Sequence, residues 1–263
     1  METLLVIKIG GNVIDNPHAL RQFLATFAAL SGHKILVHGG GKMATQIADR
    51  LGVETEMIEG RRLTDQGMLD VVTMVYGGLV NKTIVGLLQS LGCNAIGLTG
   101  ADAGIIRAQK RPVQEIDYGF VGDIEEVSSL KFEVFLDNGM IPVIASLTLD
   151  LESGSMLNTN ADTMASAVAA ALAQKYNVNL IYCFEKKGVL SNSEDDDSVI
   201  QKITPDSYFH FKAAGVINKG MVPKLDNAFQ AIEKGVSQVI ICHADDLAEA
   251  IETNAAGTQI VSK

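Results

Sequence analysis

Lys34-Ile35-Leu36-Val37-His38-Gly39-Gly40-Gly41-Lys42 is a short apolar run that stops at three glycines and passes into an amphipathic segment. That order, strand then glycine turn then helix, is the local grammar of a parallel sheet whose strands are linked by helices. Outward from it the same alternation recurs. Strands are expected at Leu4–Ile9, Lys34–His38, Asn94–Leu98, Ile141–Ala145, Asn179–Cys183 and Gln238–Ile241. Helices are expected at Pro17–Leu30, Lys42–Leu51, Gly67–Leu91, Ser128–Asn138, Ala161–Tyr176, Pro205–Ala214 and Val222–Lys234. The apolar runs are rich in Val, Ile and Leu and lack polar alternation, as strands covered on both faces do. The fold class is therefore α/β with a mainly parallel sheet. Ala103–Asp123, with Gly104, Pro112 and Gly119, reads as a hairpin or flap inserted between two halves.

The chain has 263 residues, 47% hydrophobic and 20% charged, which excludes fibrous and disordered classes. Its formal charge of −10 argues against a nucleic-acid partner, although local cations and backbone N–H groups can still hold a small anion. Cys93, Cys183 and Cys242 are scattered and odd in number, so neither a disulfide framework nor a C-x-x-C site is expected. Met1-Glu2-Thr3 lacks the cationic start of a signal peptide, and no uninterrupted apolar run reaches the roughly 20 residues of a membrane span. The expectation is a cytoplasmic protein with no membrane partner.

Several polar groups sit where a bare fold has little use for them. Lys8 interrupts the first apolar strand just before Gly10-Gly11, so it calls for an anionic partner or must snorkel at a sheet edge. His38-Gly39-Gly40-Gly41 turns backbone N–H groups and a helix N-terminus toward one point, an anion site by its dipoles; a tight turn is the plainer reading. It is not a Walker A loop, because Gly41-Lys42 is followed by Met43. Gly39 to Ala44 fits G-x-G-x-x-A with Glu59 about 20 residues on, so a Rossmann oxidoreductase stays open. Arg61-Arg62 precedes the capping pair Thr64-Asp65 and supplies forks for a carboxylate, or simple surface charge. Asn158-Thr159-Asn160-Ala161-Asp162 opens an Ala-rich helix that one cap would satisfy. Lys224, just after Pro223, lies near the positive end of a helix dipole, a conflict that a bound phosphate would relieve. Glu194-Asp195-Asp196-Asp197 reads as a solvated loop.

Taken in order, Lys8-Ile9-Gly10-Gly11, His38 to Gly41, Gly60-Arg61-Arg62-Leu63-Thr64, Asn81-Lys82, Asn158 to Asp162 and Gly220-Met221-Val222-Pro223-Lys224 resemble the amino-acid kinase family, in the branch that acts on N-acylated glutamate. The resemblance covers essentially the whole chain. It implies a single domain, a three-layer αβα sandwich, with an acylglutamate-binding lobe about 1–150 and an ATP-binding lobe about 151–263. It implies transfer of a phosphoryl group from ATP, with Mg²⁺, to the γ-carboxylate of N-acetyl-L-glutamate, giving N-acetyl-L-glutamyl 5-phosphate in arginine biosynthesis. Lys8, Asp162 and Lys224 would be catalytic. Gly40, Gly41, Arg62 and Asn158 would hold the substrate, and Gly10, Gly11 and Glu185 the nucleotide, with no protein metal ligands.

Phe184-Glu185-Lys186-Lys187-Gly188 departs from the family's Asp-Val-x-Gly segment near the nucleotide, leaving Lys186 and Lys187 either at the phosphates or on a solvated turn. Arg61 beside Arg62 leaves N-succinylglutamate open as the substrate, and a non-catalytic ligand sensor on the same fold is a further alternative. The resemblance also sets an expectation for assembly: a first strand beginning almost at Met1 leaves no room for the N-terminal helix that resembles a hexamer-forming device in arginine-inhibited relatives, so a homodimer without arginine feedback is expected, paired through Met74, Val75, Leu79 and Val80 of the long helix unless these face only the core.

Overall fold

A computed structural model of the chain describes residues 1–58, 61–192, 194–217 and 221–262. The chain runs β1 (Thr3–Ile9), α1 (Gly11–Ile14), α2 (Pro17–Ala29), β2 (His33–His38), α3 (Gly41–Leu51), β3 (Met57–Ile58) and β4 (Arg61–Arg62). A long helix follows as α4 (Gln66–Val72), a π-helical stretch (Thr73–Val80) and α5 (Asn81–Ser90). Next come β5 (Ala95–Leu98), β6 (Ile106–Lys110), β7 (Gly122–Val127), α6 (Ser129–Asp137), β8 (Ile141–Ala145), β9 (Leu147–Leu149) and β10 (Met156–Asn158). The last part holds α7 (Ala161–Leu172), β11 (Asn177–Phe184), β12 (Lys202–Ile203), α8 (Pro205–Ala213), α9 (Val222–Glu233), β13 (Gln238–His243), α10 (Leu247–Glu252) and β14 (Thr258–Ile260). Every strand and helix expected from the sequence is present.

Two compact units emerge, one of Met1–Lys34 with Ala165–Lys263 and one of Ile35–Met164. The first 34 residues thus group with the C-terminal part, whereas the sequence had suggested a division near residue 150. In the first unit the strand order is β12-β14-β13-β11-β1, parallel except where β14 runs against β13. Leu4, Val6, Ile7 and Ile9 of β1 and Val178, Leu180 and Ile181 of β11 are fully buried, which is what unbroken apolar runs become when helices cover a parallel sheet. Asn16 caps α2 by accepting from the His18 and Ala19 amides, with Pro17 in its first turn. At the other end the Lys34 ammonium donates to the carbonyls of Phe27, Ala28 and Leu30, so a buried cation closes the negative pole of that helix. Cys183 and Cys242 face each other in register as free thiols, Sγ to Sγ 3.8 Å, and burial pushes the Cys183 thiol well up.

In the second unit β2, β8 and β5 are parallel neighbours. A separate four-stranded sheet, β10-β9-β6-β7, carries the expected flap as the antiparallel pair β6 and β7. The helix Gln66–Ser90, 25 residues, is long and apolar enough by composition to cross a membrane, which the sequence reading had not recognised. Its Met68, Val72, Val75, Tyr76, Val80, Ile84 and Leu88 are buried in the protein, as in a core helix. The π-helical stretch also changes which residues share a face. Val75 and Val80 are 2% exposed, while Met74 and Leu79 are 54% and 51% exposed, a five-residue spacing. Of the four residues expected to form a pairing surface, only Met74 and Leu79 face outward.

Candidate functional site

In the second unit the site grows from the end of β2. Gly40 has φ of +154°, and a Cβ there would come within 3.0 Å of Tyr76 Cδ1 and 3.2 Å of Val80 Cγ2. Only glycine fits that turn. It delivers the backbone into α3, whose first turn has no side-chain cap, so its amide dipoles remain available to an anion. The turn is held from behind by His38, which is fully buried. Nδ1 donates to the Gly39 carbonyl at 2.8 Å, and Nε2 accepts from the Asn81 amide at 3.0 Å, which also donates to the Val143 carbonyl. Burial lowers the His38 pKa to about 4, so the ring is neutral, a brace for the glycines.

Arg62, at the end of β4, turns inward and is 8% exposed, while Arg61 beside it is exposed, as neighbours on a strand must alternate. Arg62 Nη2 donates to the Gly41 carbonyl and Thr45 Oγ1, each at 2.9 Å, and Nη1 reaches Thr55 Oγ1 at 3.4 Å. All of these partners are neutral, and no carboxylate of the described residues pairs with this buried guanidinium. Asn158 is linked to it: its amide donates to Thr64 Oγ1 at 3.0 Å, and that hydroxyl donates to the Arg62 carbonyl at 3.0 Å. Asn160, not Asp162, caps α7, accepting from the amides of Asp162 and Thr163. Asp162 is buried in the first turn, where the dipole favours a carboxylate. Ala161 Cβ lies 3.7 Å from the position a Cβ on Gly39 would take, so the start of α7 abuts the glycine turn. Gly40, Gly41, Arg62, Asn158 and Asp162 thus belong to one neighbourhood.

The first unit holds the other expected residues. Lys8 is buried in β1 opposite Tyr182 of β11. The Gly10 amide donates to the Cys183 carbonyl at 2.9 Å, and a Cβ on Gly10 would press on Phe184 at 3.4 Å. Gly11 begins α1. A cleft of about 310 Å³ is walled by Phe184, Val189, Leu190, Val216, Ile217 and Met221, with Glu185, Lys186 and Lys224 as its charged groups. Apolar walls with a few convergent charges suit a nucleotide, the walls for a base and the cations for phosphates. Pro223 and Lys224 stand in the first turn of α9, as the sequence suggested.

Lys186 lines this cleft and also pairs with Asp196 at 2.7 Å, while Lys187 pairs with Asp197 at 2.6 Å. The acidic loop is therefore exposed, as expected, but it also tethers the two lysines, a role its composition did not disclose. Glu59, Gly60 and Gly220 of the sequence motifs lie outside the described residues. Among the described residues no cluster of three His, Cys, Asp or Glu side chains could hold a metal ion. His38 braces the turn as a structural residue, while Tyr76 beneath Gly40 went unmarked, because nothing in a helical pattern singles it out.

The family description "Amino acid kinase family" matches residues 3–243. The chain belongs to the amino acid kinase family. Among curated relatives of this amino acid kinase, the acetylglutamate kinase of Cytophaga hutchinsonii is 58% identical and covers 100% of both chains. That of Bacteroides thetaiotaomicron is 55% identical, over 98% of both chains. The solved structure of smu.665 from Streptococcus mutans UA159 superposes with a TM-score of 0.81 at 30% identity, covering 99% of each chain. Membership of this family removes the dinucleotide-binding alternative for Gly39 to Ala44.

Proposed function

We propose that this kinase transfers the γ-phosphoryl group of ATP to the γ-carboxylate of N-acetyl-L-glutamate, forming N-acetyl-L-glutamyl 5-phosphate and ADP in arginine biosynthesis. The observation that carries the substrate assignment is Arg62, a buried guanidinium with neutral partners only, poised at the Gly40-Gly41 turn. A buried cation of this kind is stabilised when a carboxylate completes its fork. The full-length relatives named acetylglutamate kinase support the same reading.

The chemistry asks little of the protein in proton transfer. The γ-carboxylate is ionised at neutral pH, so no general base is needed, and the barrier lies in alignment and in repulsion between two anions. Lys8 holds the transferring phosphoryl group and Lys224 the leaving side of the nucleotide, each stabilising charge that grows in the transition state. Asp162 is the third catalytic residue. Gly40 and Gly41 offer backbone donors on the substrate side and Gly11 on the nucleotide side, where Gly10, its amide held by the Cys183 carbonyl, lets the nucleotide approach the backbone closely, and Arg62 with Asn158 grips the carboxylate that does not react. Glu185 lines the nucleotide cleft. Mg²⁺ carried in with the nucleotide would supply charge neutralisation, a role that needs no protein cage. The enzyme works in the cytoplasm as a homodimer.

Arg61 points outward, so the structure gives N-succinylglutamate no added support. ADP release measured with free, acetylated and succinylated glutamate tests the reading. Turnover with the acetylated substrate is expected. Turnover confined to the succinylated one would shift the substrate, and none with any acylated glutamate would favour a ligand sensor.

A further inference from the structure

Tyr76 is the least explained group beside Arg62. It is 5% exposed, and it sits in the π-helical stretch Thr73–Val80, a rare helical form that recurs at functional sites. Its ring underlies the glycine turn: Cδ1 and Cε1 lie 3.0 Å and 3.3 Å from the position a Cβ on Gly40 would take. Its hydroxyl lies 4.0 Å from the corresponding position on Gly41, and Arg62 Nη2 lies 3.9 Å from that same position. The phenol and the guanidinium thus both face the Gly41 end of the turn.

The donor count then becomes informative. A guanidinium only donates, so Arg62 offers the Tyr76 O–H proton no acceptor. Among the described residues none accepts it. Burial pushes the phenol pKa up while Arg62 draws it down, so the proton stays on oxygen at neutral pH. An O–H donor with no acceptor in the protein is available to a ligand that brings an acceptor to the same place.

We propose that Tyr76 is a further substrate-binding residue, donating its O–H to the non-reacting carboxylate that Arg62 grips. This rests on the acylglutamate reading above. The carboxylate would take two kinds of donor at once, the charged fork of Arg62 and the neutral phenol of Tyr76. A carboxamide in its place offers one acceptor oxygen instead of two and no charge, so it satisfies this pair poorly. Tyr76 would therefore help the enzyme distinguish an α-carboxylate from an α-carboxamide.

The test compares wild type with Tyr76→Phe on N-acetylglutamate and on its α-carboxamide, with melting temperature followed in parallel. Phenylalanine keeps the ring beneath Gly40 and removes only the hydroxyl. The expected result is a rise of roughly tenfold in KM for N-acetylglutamate, with kcat and the KM for ATP nearly unchanged. The preference for carboxylate over carboxamide, as a ratio of kcat/KM, should shrink by a similar factor. An unchanged acid-to-amide ratio in an active, folded Tyr76→Phe enzyme would overturn the Tyr76 assignment while leaving the acylglutamate reading intact. A wild-type enzyme inactive on N-acetylglutamate would remove that reading, and this proposal with it.

Discussion

Arg62 shows what a single residue can disclose. Its charge is buried against a carbonyl, hydroxyls and a thioether, none of which matches a guanidinium as a carboxylate would. The two lysines differ from it in kind. In the proposed reaction they would serve charge that develops during transfer, whereas Arg62 would serve charge that is present throughout. Substitution should separate these roles. Lys8→Ala and Lys224→Ala are each expected to lower kcat by roughly two orders of magnitude or more, with melting curves that remain cooperative. Arg62→Ala is expected to act mainly on the KM for the acylated amino acid and to leave the KM for ATP nearly unchanged. Steady-state kinetics with each substrate varied in turn reads both effects. Near wild-type turnover in either lysine variant, or an effect of Arg62→Ala on ATP alone, would contradict the assignments.

Among the elements, β2 with its glycine turn carries the clearest consequence for pH. His38 is held neutral by burial, with a pKa near 4 against an ordinary 6.5. Between those values the unfolded chain takes up a proton that the native protein refuses. Stability is therefore complete above about pH 6.5 and falls as the pH drops toward 4, by on the order of 3 kcal/mol from this group. Urea titrations across that window should show the decline, and His38→Asn should flatten its slope. An unchanged slope would mean that other groups dominate the acid response. The long helix teaches a different lesson about reading sequence. Its extent and apolar character were plain from Gly67 to Leu91, but apolar spacing cannot reveal a stretch wound five residues to the bond. Val75 and Val80 therefore turned inward, and Tyr76 came beneath Gly40 unannounced. The edge strand β12, its neighbour β14 and the short β9 and β10 were also invisible. At two or three residues each, they are too short to show a period, and neighbours determine their pairing.

At the scale of the whole molecule, the α/β class and the main parallel strands were legible because long buried strands must be continuously apolar. The candidate residues were legible because each broke a local rule: a lysine within a strand, glycines before a helix, a lysine at a positive helix pole. The division of the chain was not, since the return of the first 34 residues to the C-terminal unit depends on β1 pairing with β11 across the sequence. Oligomeric state belongs to this scale as well. Met74 and Leu79 remain exposed on the long helix, and a homodimer that covers them is expected. Light scattering should give twice the 28.0 kDa chain mass, and Leu79→Glu should shift it toward one. A monomeric or hexameric wild type would contradict that expectation. The central claim is that a carboxylate of an acylated glutamate receives the phosphoryl group. Trapping with hydroxylamine tests it directly, because an acyl phosphate is converted to a hydroxamate while an ordinary phosphate ester is not. With ATP and N-acetylglutamate, the γ-hydroxamate should accumulate in proportion to ADP; ADP formed without hydroxamate would contradict the account.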